Sequence, residues 1–304
     1  TGDRADGGGS TTHSVPGRRA GLRDGRSPRL RPVGGTTRGE WLASVGRLSG
    51  AVGRGRIDKV VLARRLDLEA DRPIDVAAAL RRLAHGAPES TVFAVSRAGR
   101  TFLGATPERL VRLERGEVRT VALAGSIGRG ATAAEDDALA RALLASEKDR
   151  EEHAVVVAML REALEPLTAA LVVEPRPSVV RLRHVQHLAT GLRGVLREPL
   201  GVLDLVARLH PTPAVGGWPR ELALELLAEE ERIDRGWYAG PLGWVDRSGD
   251  GELVVAIRSA VVEGRRASLF AGCGIVADSD PELEWAESEM KLRAVASALG
   301  EIAR

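Results

Sequence analysis

The sequence predicts an α+β protein, and three observations carry that reading. Apolar residues recur with a helical period in some stretches and alternate with a period of two in others. The two kinds of stretch come in blocks, where a doubly wound parallel sheet would alternate them strictly. A chain of 304 residues that is 43% hydrophobic and 28% charged also has ample material for a sizeable core.

The elements follow in order. Residues 1–37 are rich in Gly, Arg, Pro, Ser and Thr and have almost no apolar periodicity. They are expected to form a disordered tail, leaving 38–304 as one folded domain. Order is expected to begin in "TRGEWLASVGRLSGAVGRGRI", where Trp41, Leu42, Val45, Leu48 and Val52 fall at helical spacing. "KVVLARRLDLEA" is a strand, and "IDVAAALRRLAHGAP" is a helix stopped by Gly86 and Pro88. From Ser90 to Gly125 the pattern is a meander of short strands, with turns at Ala98-Gly99 and Arg115-Gly116. Residues 133 to 167 or so read as a single long helix ended by Pro166. "ALVVEPRPSVVRLRHVQHLATGLRGVL" returns to strands. "GVLDLVARLHPTPAVGGWP" is a helix running into a Pro/Gly loop, and "RELALELLAEEERI" is another helix. Three strands follow, "PLGWVDR", "ELVVAIRSAVVEG" and "RASLFAGCGIVA", with turns at "SGDG" and "EGRR". The last helix starts at Pro281, with Asp280 as its N-cap. No internal repeat is present.

Composition removes several function classes. The formal charge is +2 and the pI about 9.1, with acids and bases interspersed along the chain, so the basic pI says little about nucleic acid. Aromatic residues are 3% of the chain, too few for the stacking platforms of single-strand binders. One cysteine rules out an internal disulfide framework and fits a reducing compartment. No apolar run is long enough for a membrane span and no secretory signal is evident, so a cytoplasmic location is expected. The chain opens on Thr1, as a fragment or a trimmed chain would.

Candidate chemistry starts from a scarcity. Of 44 lysines and arginines, three are lysine: Lys59, Lys148 and Lys291. Lys59 opens the β-branched run "KVVLAR". A desolvated lysine can lose its proton and an arginine cannot, so Lys59 is a candidate general base; the plain alternative is a lysine that flanks a strand. Two helices carry acids at telling spacings. Asp149 and Glu152 are three residues apart, and Glu284, Glu287 and Lys291 fall at i, i+3 and i+7, one helix face in each case. Two such carboxylate pairs suit a hard cation such as Mg²⁺; the alternative is two solvated faces with an ion pair between Glu287 and Lys291. Glu108 follows a turn in "GATPERLV". "LAGSIGRG" is a Gly-rich loop whose backbone N–H groups could meet an anion, although it lacks the ending of a phosphate loop. Cys273, in "AGCGI", has no thiolate-stabilising neighbour in sequence and reads as buried and inert. His187 is a lone histidine among apolar residues, most simply a satisfied core residue. No nucleophile elbow of a serine hydrolase appears.

Together, "DKVVLAR", "GATPERLV", "LAGSIGRG", "SEKDREEHAVVV", "VQHLATGL", "LHPTPAVGGWP", "DRGWYAGPLGW", "VAIRSA" and "AGCGIVADSDPELEWAESEMKL" resemble, in order, the chorismate-utilising enzymes. Within that family they are most similar to isochorismate synthases, with salicylate synthase and the first components of anthranilate and aminodeoxychorismate synthase as relatives. The resemblance runs from about residue 40 to the C-terminus. It implies two packed antiparallel sheets with helices outside and a cleft between them, and it makes 38–304 a chorismate-binding catalytic domain. Family members carry a further strand-rich stretch ahead of the lysine motif, which is missing here or replaced by the Gly/Arg-rich tail.

The resemblance also implies roles. Lys59 would activate water for attack on C2 of chorismate, and Glu108 would protonate the departing C4 hydroxyl, its pKa raised by burial or neighbouring acids. Glu152 and Glu287 would bind Mg²⁺, with Asp149 and Glu284 beside it through metal-bound water. The metal would hold the ring carboxylate. Arg258 and Lys291 would pair with substrate carboxylates. Gly125, Ser126 and Gly272 would contact the substrate, His187 would line the ring pocket, and Tyr238 would sit near the pyruvyl side chain. Relatives that eliminate pyruvate usually have Thr where this chain has Ala214. The implied activity is therefore isochorismate synthase, with salicylate synthase or a non-catalytic truncated relative as alternatives. "GWYAGPLGWVD" is similar to the menaquinone- and siderophore-type synthases. A monomer acting on chorismate, with no glutaminase subunit, is expected.

Overall fold

Two sheets meet in the computed structural model, which describes residues 27–183 and 185–302. In chain order the first half comprises β1 (Arg29–Gly35), α1 (Arg38–Gly53), β2 (Lys59–Ala70), α2 (Val76–Gly86), β3 (Thr91–Arg97), β4 (Arg100–Thr106), β5 (Arg109–Glu114), β6 (Glu117–Gly128), α3 (Ala133–Ala145) and α4 (Glu147–Leu164). The second half comprises β7 (Thr168–Val173), β8 (Ser178–Arg181), β9 (Val185–Leu196), α5 (Val202–Leu209), β10 (Gly217–Trp218), α6 (Arg220–Glu230), β11 (Pro241–Val245), β12 (Gly251–Val255), β13 (Ser259–Glu263), β14 (Arg266–Ile275), α7 (Pro281–Leu299) and β15 (Glu301–Ile302). The first sheet has the order β15-β1-β2-β14-β13-β4-β3, with β10 also on β2. The second has the order β11-β12-β5-β6-β9-β7, with β8 also on β9. Every pairing is antiparallel except β1 with β15. The expected α+β class and paired antiparallel sheets are what the chain adopts.

Alternation along β2 shows how the sheet sorts its residues. Val60 and Leu62 pack with Trp41, Val45 and Leu48 of α1, Leu227 of α6 and Cys273. Lys59, Val61 and Ala63 point to the opposite face, because strand side chains alternate. Beside β2, Phe270 and Ala63 join the large core built on Leu110, Val118 and Leu192 of the second sheet and Val156 and Leu160 of α4. α2 and α7 cover the rest of the first sheet through Leu83, Leu292 and Val295. Buried Arg64 locks β2 to α7: it donates to Ser288 Oγ at 2.6 Å, pairs with Glu289 and lies 3.8 Å over the Trp285 ring. No helix of the described residues is long and apolar enough to cross a membrane.

Four expectations need correction. Arg29–Gly35, placed in the disordered tail, forms β1 against β2. Leu30 alone of that strand is buried, so an edge strand of this kind shows no apolar alternation in sequence. The rest of the expected tail, 1–26, lies outside the described residues. The long helix is two: Ser146 ends α3 and caps α4 by accepting from the Asp149 N–H, a local hydrogen bond that competes with helix continuation. "LAGSIGRG" is the end of β6 and contains a bulge at Gly125 (φ 76°), where a left-handed backbone favours glycine. "ELVVAIRSAVVEG" is two strands in different sheets, broken at Arg258, which has φ 51°.

That last break and its counterpart position the site. The chain crosses from the first sheet to the second at Pro107-Glu108, between β4 and β5, and back at residues 256–258, between β12 and β13. The crossings are tied together: Val255 N–H donates to the Glu108 carbonyl at 2.9 Å, Ala105 N–H to the Arg258 carbonyl at 3.2 Å, and Thr106 Oγ1 to the Val255 carbonyl at 2.6 Å.

Candidate active site

Between the sheets lies a cleft of about 740 Å³. Of the fourteen residues singled out in the sequence, twelve line it; Asp149 and Glu284 stand behind. The first sheet contributes Lys59 from β2 and Gly272 and Gly274 from β14. The second contributes Gly125 and Ser126 from β6 and His187 from β9. Glu108 and Arg258 enter at the two crossings, and α4 and α7 bring Glu152, Glu287 and Lys291.

Lys59 is fully buried, and its Nζ donates to Glu152 Oε1 at 2.8 Å. Glycine at 274 makes this possible. A Cβ there would stand 2.4 Å from Glu152 Oε1 and 2.8 Å from Lys59 Cε, so the ends of these two flexible side chains would have to move. Gly274→Ala is therefore expected to push the pair apart with the fold retained and to lower by about 10² the kcat of any reaction in which Lys59 takes part, since displacing a reacting group by roughly 1 Å has an effect of that order. Gly272→Ala is the control: its Cβ would meet Tyr238 Oη and Val61 at 3.2 Å, a milder conflict, and should cost less. Steady-state kinetics on protein checked by circular dichroism decides the comparison.

Glu108 is buried. Burial pushes its carboxyl up to about 7, against the pull of Lys59, Lys291 and Arg258. Of the two causes foreseen for a raised pKa, burial operates, and the charged neighbours are cations that oppose it.

Each metal-candidate carboxylate meets an ammonium group or a backbone donor. Glu284 Oε1 accepts from Lys148 Nζ and Ser279 Oγ, both at 2.9 Å. Glu287 pairs with Lys291 at 2.8 Å, the intrahelical pair the spacing also allowed. Asp149 accepts from the Ser126 N–H at 3.3 Å, on the bulge, and from Ser146 Oγ. Burial raises the carboxyl of Asp149, and the charge of Glu152 adds to it; burial raises Glu284, and the charge of Glu287 adds to it. Burial also pushes Glu287 up, but Lys291 outweighs it and holds Glu287 below the usual range. Mutually repelling carboxylates made wholly of hard oxygen donors are a set that a divalent cation would relieve. Cys273, whose thiol lies within 4.8 Å of the Glu284 and Glu287 oxygens, does not soften this set. It is fully buried, donates to the Glu284 carbonyl at 3.3 Å, and is pushed well above the usual thiol range by burial. It is buried, as expected.

The remaining residues form the walls. His187 shares its Nδ1 with Ser126 Oγ at 2.9 Å, and its Nε2 faces the Arg258 guanidinium at 3.4 Å. Burial, with Arg258 adding, drives its pKa down to about 3, so the ring is neutral. Tyr238 stacks on Phe270 with centroids 5.3 Å apart, and burial pushes its hydroxyl up to about 12. The Gly272 carbonyl accepts from Lys291 Nζ at 2.8 Å. Ala214 presents a methyl group to the cleft.

Two contributors were not singled out beforehand. Arg235 donates to the carbonyls of Val215 at 2.8 Å and Val61 at 2.7 Å, with Glu231 holding its other edge; it pins the Ala214 loop against β2. Lys148 neutralises Glu284. Its signal was present, since it is one of three lysines in an arginine-rich chain, and all three stand at the carboxylates of this site.

A family profile described as chorismate binding enzyme matches residues 25–300. The chain belongs to the chorismate-binding enzyme family. Among family members, the salicylate biosynthesis isochorismate synthase of Pseudomonas aeruginosa is 48% identical over 270 residues, 87% of this chain and 56% of that protein. The isochorismate synthase MenF of Bacillus subtilis is 43% identical over 261 residues, 86% of this chain and 55% of that protein. The solved structure of the menaquinone-specific isochorismate synthase MenF of Escherichia coli superposes with a TM-score of 0.83 at 32% identity, over 92% of this chain and 66% of that one. The chain thus spans about half the length of the two curated relatives.

Proposed function

We propose that this chain isomerises chorismate to isochorismate. The observation that carries the reading is the pairing of a buried lysine with a buried, proton-holding glutamate across one cleft. In the reaction a water oxygen bonds to C2, the ring double bond shifts, and the C4–oxygen bond breaks. Lys59 takes the proton from the attacking water, and Glu108, poised near neutrality, delivers one to the C4 oxygen as it leaves. One water enters and one leaves, so substrate and product are isomers. Arg258 and Lys291 bind the substrate carboxylates, the guanidinium offering a two-pronged grip. Neutral His187, fixed by Ser126, accepts from Arg258 and aims it. Tyr238 bounds the side-chain end of the pocket.

Glu152 and Glu287 are the residues to hold Mg²⁺, with Asp149 and Glu284 as outer partners. A divalent cation held there would supply positive charge to the ring carboxylate. Ala214 offers no hydroxyl to assist loss of pyruvate, so the chain stops at the isomer. The test is incubation of the purified protein with chorismate, with Mg²⁺ and with a chelator, and separation of products by chromatography and mass. Isochorismate formed only with Mg²⁺ is expected. Salicylate with pyruvate would replace this reading by the lyase one. No turnover by folded protein would leave a binding protein.

A further inference from the structure

A second cavity, of about 1530 Å³, adjoins the cleft. The two share Pro107 and Arg258 as a common wall. Apart from one acid, Glu89, the charged groups of its otherwise largely apolar lining are arginines: Arg81 and Arg82 from α2, Arg183 just ahead of β9, and Arg258. Among the described residues none of these four arginines forms an ion pair, whereas Arg47, Arg64, Arg129 and Arg235 each pair with a carboxylate. Arg82 is held by the Ala298 carbonyl at 2.7 Å. Arg81 and Arg183 are exposed. In a chain of net charge +2 with interspersed signs, unpaired cations gathered around a concavity focus a positive field there, and such fields raise the encounter rate of anions.

We propose that this cavity is a vestibule that captures the substrate as a dicarboxylate and passes it to Arg258, which lines both spaces. The proposal rests on the chorismate reading above, since chorismate carries two carboxylates. Arg81 and Arg183 act on arrival and take no part in the chemistry.

The experiment is the double variant Arg81→Gln/Arg183→Gln, compared with the parent chain at about 10 mM and about 0.5 M ionic strength. At low salt, kcat/KM is expected to fall about tenfold, the lower end of steering effects, with kcat at saturation unchanged. At high salt the two proteins should converge. A loss that persists at high salt, or one that appears in kcat, would mark a structural defect and overturn the vestibule. Equal kcat/KM at low salt would overturn it as well. If chorismate is not turned over at all, the functional reading fails and the cavity is judged alone, by calorimetric titration with the unreactive dicarboxylate isophthalate. Weaker binding by the double variant at low salt then upholds anion capture, and equal or absent binding ends it. Isophthalate that binds through these arginines yet leaves chorismate kcat/KM untouched would make the cavity a separate effector site and reject the vestibule.

Discussion

Lys59→Arg is expected to lower kcat by about 10⁴, the upper range for removal of a general base, with the fold retained. Charge is conserved in this variant, and the lost property is the ability to release a proton. Lys59→Ala should be equally slow but should differ in one respect. The space left beside Gly274 and Glu152 admits a small primary amine, so added ethylamine should restore part of the rate to Lys59→Ala and none to Lys59→Arg. Recovery that grows with amine concentration and with pH identifies a proton acceptor. A lysine serving only to neutralise Glu152 predicts that Lys59→Arg keeps most of its activity and that rescue of Lys59→Ala by amine falls as rising pH removes the amine's charge.

A few residues of this candidate site drew notice because they break the composition or the periodicity around them, but composition and spacing alone favoured plain structural roles, and the ordered motifs of the family resemblance supplied the rest. Lys59 stood out against arginine, and Glu284, Glu287 and Lys291 stood out as three charged residues on one face of a helix whose start was marked by Asp280 and Pro281. The hairpin turns were legible too: Ala98-Gly99 and Arg115-Gly116 all have positive φ, which two-residue hairpins require. What remained hidden depends on partners distant in sequence. "ELVVAIRSAVVEG" keeps its apolar character while it changes sheets, so nothing local marks Arg258 as the crossing. β1 is held by backbone pairing to β2, with Leu30 as its one buried residue, so it looks like tail. Ser146 splits a helix with a single side-chain hydrogen bond, which pattern counting over many residues averages away. These are also positions where local preference yields to the site. The break at Ser146 starts α4 at Glu147, placing Asp149 and Glu152 near its N-terminus, and the left-handed Arg258, between β12 and β13, reaches the cleft.

Glu108→Gln separates chemistry from stability in one residue. The amide keeps the shape but cannot supply a proton, so kcat should fall about 10³. The parent chain should also lose activity as pH rises through about 7, where Glu108 ionises, while the residual rate of the variant shows no such limb. Stability should move the opposite way. The carboxyl titrates near 7 in the folded chain and near 4.3 when unfolded, so its contribution is fully present below pH 4 or so and is lost as pH rises through 7. Above that the buried carboxylate costs about 4 kcal/mol relative to a neutral group, from roughly 1.4 kcal/mol for each tenfold change in proton affinity. Denaturant melts of both chains with a chelator present should therefore coincide near pH 4 and diverge by about that amount near pH 8, the variant being the more stable. If the curves run parallel across this range, Glu108 is ionised throughout, and the C4 proton must come from another group.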